Sequence, residues 1–437
     1  MKFIWNDIER PEFDSLEGDI KTDALIIGGG ICGILCAYML KMSGVDCVLV
    51  EADRICAGVT NGTTAKLTFQ HGLIYDKIIK KYGEEMACLY YKSQNEALCK
   101  LTELAKETGA ELEFCNSFVY SKNSRNAIEK ETEALNKLGC RAEFCEETEL
   151  PFSVSGAVKV ENQAKFHPLE FAYAIAPKLK IFENTEVREI KAQTAITNHG
   201  KITADNIIVA THFPFINRHG GYFLKMYQHR SYVIALKNAH QIKDMYVDED
   251  MRGLSFRRQK DLLLLGGGGH RTGTQGGNFS ELRHVCKEYY PDAQETANWA
   301  TQDCMTLDGV PYIGRYSKLT SNLYVATGFN KWGMTSSMVS ATLLADMVCG
   351  RKNEYEELYS PSRSILHPQL AINAFESVKN LITPTAPRCP HMGCALKYNR
   401  AEHSWDCPCH GSRFGEDGKL LNNPATKDKE IKESDKR

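Results

Sequence analysis

The spacing of hydrophobic and polar positions divides the chain into elements of different type. Asp23-Ala-Leu-Ile-Ile27 is an unbroken apolar run with the length of a buried strand. Ile34 to Lys41 continues as an apolar helix, and Val45-Asp-Cys-Val-Leu-Val50 is a second buried strand that ends at Glu51. Ile74 to Thr108 and Ala127 to Leu138 are rich in helix formers. Lys201 to Val209 reads as a hairpin strand entering Ala210-Thr211-His212. Tyr227 to Leu236, Gly253 to Arg258 and Asp261 to Gly266 read as antiparallel strands, with Gly266–Gly269 as a turn beside them. Residues 360–387 predict a helix and a linker, and Lys427 to Arg437 a disordered mixed-charge tail.

Glycines between the first strand and helix change the picture. Gly28-Gly-Gly30-Ile-Cys-Gly33 sits between strand and helix, and the second strand ends on an acid, the strand–GxGxxG–helix–strand–acid unit of a dinucleotide site. Gly28 permits the tight turn, Gly30 lets the backbone approach a pyrophosphate, and Gly33 lets helix and strand pack closely. The helix N-terminus offers free N–H groups to phosphate. Glu51 is positioned to accept hydrogen bonds from a ribose. This fingerprint alone does not separate NAD from FAD.

The other chemical signal is C-terminal. Cys389-Pro-His391 and Cys407-Pro-Cys-His410 each pair a thiolate with an imidazole, with 15 residues between His391 and Cys407. Zinc also takes two Cys and two His. One Cys and one His from each of two loops is equally the ligand set of a Rieske [2Fe–2S] centre, in which two imidazoles replace two thiolates on one iron and raise the potential. Gly411-Ser412, which places a turn and a hydroxyl near sulfur, is not needed by a zinc finger and favours the cluster.

Composition narrows the partners. The chain has 437 residues, 43% hydrophobic and 25% charged, the size of two or three globular domains. A net charge of −2 implies no nucleic-acid or anionic-membrane partner. The N-terminus lacks the apolar core of a signal peptide, and no segment has the length of a membrane span. Sixteen cysteines then imply mostly reduced thiols and a cytoplasmic location.

Together with Thr306-Leu-Asp-Gly-Val-Pro-Tyr-Ile-Gly314 and Leu323-Tyr-Val-Ala-Thr-Gly328-Phe-Asn-Lys-Trp-Gly333-Met334, these motifs resemble the FAD-dependent oxidoreductases of the D-amino-acid oxidase/glycine oxidase (DAO) type. With a Rieske domain appended, and with Asn61-Gly-Thr-Thr-Ala-Lys66, Gln70-His-Gly72 and Trp332-Gly-Met-Thr335, the chain resembles the bacterial YhfW-type group. The resemblance implies an α/β FAD-binding Rossmann-type domain, an inserted antiparallel-sheet substrate domain and a small all-β Rieske domain. The expected boundaries are an FAD oxidoreductase over 20–375, with its FAD core at about 20–65, 167–215 and 320–375 and its substrate domain at about 66–166 and 216–319. A linker at 376–384, the Rieske domain at 385–430 and a tail at 431–437 follow.

The resemblance also implies cofactor contacts at Gly28, Gly30, Gly33, Glu51, Thr63, Thr64, Val187, Ala210, Gly328, Gly333 and Met334, with a helix of roughly 334–349 aimed at the flavin. It implies cluster ligation by Cys389, His391, Cys407 and His410, and a disulfide between Cys394 and Cys409 tying the two loops. Phe414 stands where high-potential Rieske domains carry a tyrosine that bonds a ligand sulfur. Lys66, His71, Lys331 and Trp332 are the catalytic candidates. Arg230, Tyr232, His270 and Arg271 lie on the expected sheet; an arginine there could clamp a carboxylate, but each reads first as a solvated strand residue. Cys304 is a candidate for covalent flavin attachment. The expected chemistry is oxidation of an amine or amino acid C–N bond, with electrons passing from FAD to the cluster and then to an external acceptor. Reverse flow from cluster to flavin, and an electron-transfer module that docks a partner protein, are the alternatives.

Overall fold

The computed structural model describes residues 2–216, 219–274, 276, 278–384 and 387–431. Most of the expected charged tail, and residues 385–386 of the expected Rieske domain, lie outside the described residues.

One eight-stranded sheet carries Tyr312–Arg315, Leu323–Thr327, Lys201–Val209, Ile20–Ile27, Cys47–Val50 and Ile181–Phe182 in that order, with the Val187–Lys191/Thr194–Thr197 hairpin on Lys201–Val209. The central pairs are parallel, Ile27 lying between Val209 and Val50. A parallel sheet is covered on both faces, which explains the unbroken apolar run of Ala24 to Ile27, all buried. The helices Ile31–Met42 and Gly333–Val348 pack against each other, and Glu84–Thr108 packs on the latter.

A nine-stranded, mostly antiparallel sheet orders Gln294–Thr306, Met226–Lys237, Leu262–Arg271, Ser255–Gln259, Met245–Asp248, Leu112–Ser121, Gly156–Phe166 and Lys66–Leu67, with Ala142–Cys145 on Gly156–Phe166. A four-stranded antiparallel sheet, Lys397–Asn399 to Leu420–Asn422, forms the C-terminal unit with its own buried cluster around Cys389, Trp405, Cys407 and Phe414.

Tyr312–Arg315, which falls inside the approximate bounds expected for the substrate domain, pairs with Leu323–Thr327 at the edge of the parallel sheet. Two expectations change. Most of the expected linker is helix Pro368–Ile382, started by the His367 ring accepting from the Gln369 N–H at 3.2 Å and by Pro368 in its first turn. Gly266–Gly269 is not a turn but part of strand Leu262–Arg271, because side chains there would fill space that other elements use: a Cβ on Gly269 would lie 2.4 Å from the Met251 carbonyl oxygen.

Candidate functional site

A single cavity of about 1120 Å³ runs from the glycine turn to the antiparallel sheet. Gly28, Gly30, Glu51, Thr63, Thr64, Val187, Ala210, Gly333 and Met334 all line it, from six separate stretches of sequence. Gly28 has φ +112°, and a Cβ on Gly33 would lie 1.9 Å from the Gly28 carbonyl oxygen, so helix and strand meet only because both residues lack side chains. Gly30 differs. Its Cβ would have one neighbour, Thr60 Oγ1 at 3.4 Å, and would otherwise occupy the cavity. The Glu51 carboxylate accepts from the Gly29 N–H at 2.6 Å and the Asp53 N–H at 3.1 Å, while burial raises its pKa. It therefore braces the glycine turn as well as bordering the cavity. Gly33 and Gly328 do not line the cavity; Gly328 packs where a Cβ would lie 2.3 Å from Thr306 Cγ2.

The four catalytic candidates also border this cavity, in different ways. Lys66 donates to Thr64 Oγ1 at 3.1 Å, and burial pushes its ammonium down to about 7. Lys331 donates to the Met251 carbonyl at 3.2 Å, and burial lowers its pKa against the opposing pull of Asp303 and Asp250. The His71 ring is engaged on both nitrogens, with Tyr90 Oη at 2.7 Å, the Thr68 carbonyl at 2.9 Å and Thr335 Oγ1 at 3.1 Å. Burial pushes it down to about 3, so it is a neutral support rather than an acid–base group at neutral pH. Trp332 stacks on it with ring centroids 5.0 Å apart. Asp303, which sequence reading missed, faces the cavity, and burial pushes its carboxyl up to about 6. Cys304 turns the other way into the core and does not line the cavity, which removes it as a flavin attachment point.

In the C-terminal unit the two Cys–His loops are closed by matching backbone bonds: Gly393 N–H to Cys389 O and Gly411 N–H to Cys407 O, each 2.9 Å. Cys389 and Cys407 are buried and share a hydrogen bond, with the Ser412 hydroxyl also on Cys389. Cys394 and Cys409 are joined as a disulfide. The His391 and His410 rings meet edge to face at 5.0 Å. Nδ1 of His410 is buried with no hydrogen-bond partner, which fits a nitrogen reserved for a metal.

Comparison with known proteins accounts for both halves. The FAD dependent oxidoreductase (DAO) family matches residues 23–347, and the Rieske [2Fe-2S] domain matches residues 350–433. The chain belongs to the DAO family of FAD-dependent oxidoreductases and carries a C-terminal Rieske domain. It binds FAD and a [2Fe–2S] cluster. It is 34% identical to the Rieske 2Fe-2S iron-sulfur protein YhfW of Bacillus subtilis, over 96% of this chain and 95% of that protein. It is 24% identical to the gamma-glutamylputrescine oxidoreductase of Escherichia coli over 79% of this chain and 87% of that one. Glycine oxidase from Geobacillus kaustophilus shares the fold at a TM-score of 0.66 and 18% identity, covering 79% of this chain and 99% of that chain. Among the described residues no helix is long and apolar enough to cross a membrane.

The Rieske domain rests on the flavoprotein's antiparallel sheet. Along Met226–Lys237 and Gln294–Thr306, Tyr227, Ser231, Val233, Thr301, Asp303 and Met305 line the cavity, joined by Tyr232 beside a register shift after Arg230 and by Thr306 at the strand end. Their alternates Gln228, Arg230 and Gln302 face the Rieske domain, as the two-residue period of a strand requires. The two arginines neither clamp a substrate carboxylate nor stand solvated, the two readings open for them in the sequence; both are engaged with the Rieske domain. Arg230 pairs through two nitrogens with Glu402, and Arg271 donates to the carbonyls of Pro408 at 3.2 Å and Cys409 at 3.3 Å. Tyr232 stacks on His270 at 5.8 Å.

Proposed function

We propose that this flavoprotein oxidises the C–N bond of an amine or amino acid and passes the electrons through its own Rieske cluster to an external acceptor. When bound, FAD takes two electrons from a substrate and can give them up one at a time, the quantum a Rieske centre carries. The observation that carries this reading is placement: the loop Cys407–Ser412 bears on one face of the sheet whose other face lines the cavity.

The cavity residues suit the substrate half. Lys66, with its pKa near 7, can hold or release a proton at neutral pH. Asp303 and Lys331 offer one anionic and one cationic group to a small polar molecule. Trp332 supplies an apolar wall. The relatives named for gamma-glutamylputrescine, D-amino acids and glycine support C–N oxidation as the class. A cytoplasmic location belongs to the same reading.

The test is an anaerobic screen of amines and amino acids for flavin bleaching, followed by stopped-flow and freeze-quench spectroscopy with the best reductant. Flavin bleaching should precede the paramagnetic signal of the reduced cluster. A cluster that stays oxidised through many turnovers, while oxygen alone reoxidises the flavin, would overturn the relay.

A further inference from the structure

We propose that the Rieske domain is a fixed wall of the flavin cavity rather than a tethered carrier, clamped by two buried polar groups, Gln228 with Gln302 and Arg230 with Glu402. The docking is independent of the direction of electron flow; its consequence for transfer rests on the relay proposed above.

The amide pair has no unused hydrogen. Gln228 Nε2 donates to the carbonyls of His410 at 2.9 Å and Asn423 at 3.1 Å. Gln302 Nε2 donates to the carbonyl of Gly411 at 2.9 Å and to Gln228 Oε1, and Gln302 Oε1 accepts from Thr272 Oγ1 at 2.9 Å. Both amides are about as buried as the strand cores, at 2% and 1% exposure, and three of their four hydrogens end on Rieske backbone. The fit is close: a Cβ on Gly411 would lie 2.6 Å from Gln228 Cβ.

The ionic clamp stands beside it. Arg230 and Glu402 side chains are 3% and 0% exposed, and Glu402 also accepts from Arg413 at 2.8 Å, itself bonded to Asp406 at 2.9 Å. Arg230 is thus tied into the interior of the Rieske domain. A third contact closes the cavity. Leu420–Asn423, Ala425 and Thr426 line it together with Gly28 and Glu51, and Asn423 Nδ2 donates to the Phe213 carbonyl at 2.8 Å. A domain that left this position would open the cavity. In place, the cluster would take the flavin's two electrons one at a time, one ferric iron becoming ferrous and returning to ferric at the external acceptor before the second electron follows, without any domain displacement.

The holoprotein tests this by arginine labelling with phenylglyoxal, read by mass spectrometry along a urea series. Arg230 should stay unlabelled until the flavin sheet itself unfolds. Labelling of Arg230 while FAD is still bound and the sheet intact would overturn fixed docking. Glu402→Gln should speed Arg230 labelling by about a hundredfold, the effect of breaking a buried pair. In wild-type protein reduced by a light-activated deazaflavin with EDTA as electron source, flavin-to-cluster transfer should not change with solvent viscosity. A rate that falls in proportion to viscosity would show a swinging domain and sink the proposal. An undocked Arg230 with electrons still reaching the cluster would leave the relay standing, whereas a docked Arg230 with a cluster that never reduces would remove the relay alone.

Discussion

Of the fingerprint glycines Gly28, Gly30 and Gly33, Gly30 is the one at which a side chain would enter the cavity rather than strike the backbone. Gly30→Val should therefore give folded protein with almost no FAD, measured as flavin absorbance per chain after denaturation. At the cluster, Phe414 is fully buried in the same group as Cys389 and Cys407. A tyrosine there would bring a hydrogen-bond donor into that buried group; a bond from it to a sulfur of the cluster would stabilise the reduced state. Phe414→Tyr should raise the midpoint potential, read by a redox titration of the paramagnetic signal, within the range of about −150 to +300 mV for such centres. The glycine turn, Glu51 and the two Cys–His loops could be singled out as candidates from local pattern alone, and the structure puts Gly28, Gly30 and Glu51 on one cavity. The places of Arg230 and Arg271 could not be read that way. A strand residue's face is set by its partners, and nothing in the sequence around Arg230 shows that Glu402 lies against it.

Elements were legible where one period ran long enough. The buried parallel strand Ile20–Ile27 contains the apolar run 23–27, and the helix Gly333–Val348 lies within one residue of the bounds that the resemblance implied. A misreading came where tertiary space overrides local preference, in the glycine strand Leu262–Arg271. One helix start has a pH signature. The Glu131 carboxylate is fully buried and accepts from the Tyr75 and Asp76 N–H groups, each 2.9 Å, at the start of Tyr75–Tyr82. Burial pushes it up from 4.5 to about 7. Between those values the folded chain holds a proton that the unfolded chain has lost, so stability is greatest below the unfolded pKa and falls as pH rises toward about 7. The loss is on the order of 3 kcal/mol. Glu131→Gln should lose that slope, measured as urea midpoints across the same pH interval.

For the whole molecule, the Rieske domain has its own buried cluster but shares a wall of the flavin cavity. Cys389→Ser should remove the two irons and two acid-labile sulfides while FAD is still present in the purified protein, because the flavin turn and its sheet are untouched. Loosening of the cavity wall should show as faster FAD release, followed by flavin fluorescence on dilution. FAD lost in parallel with iron in every preparation would contradict separate cores.

The sequence by itself determined the two cofactors, FAD and a [2Fe–2S] cluster, and the order of the two family domains. A phosphate-binding turn and a two-loop ligand set are each built from a few residues at short spacing, so local pattern carries their chemistry. What only the tertiary structure decided is how the sites face each other. The sheet Met226–Lys237/Gln294–Thr306 turns alternate side chains to the cavity and to the Rieske loops. Which alternate meets which partner follows from pairing across more than a hundred residues, such as Arg230 with Glu402 and Gln302 with Gly411. Those contacts are made by chain segments that become neighbours only on folding, and no spacing along the sequence encodes them.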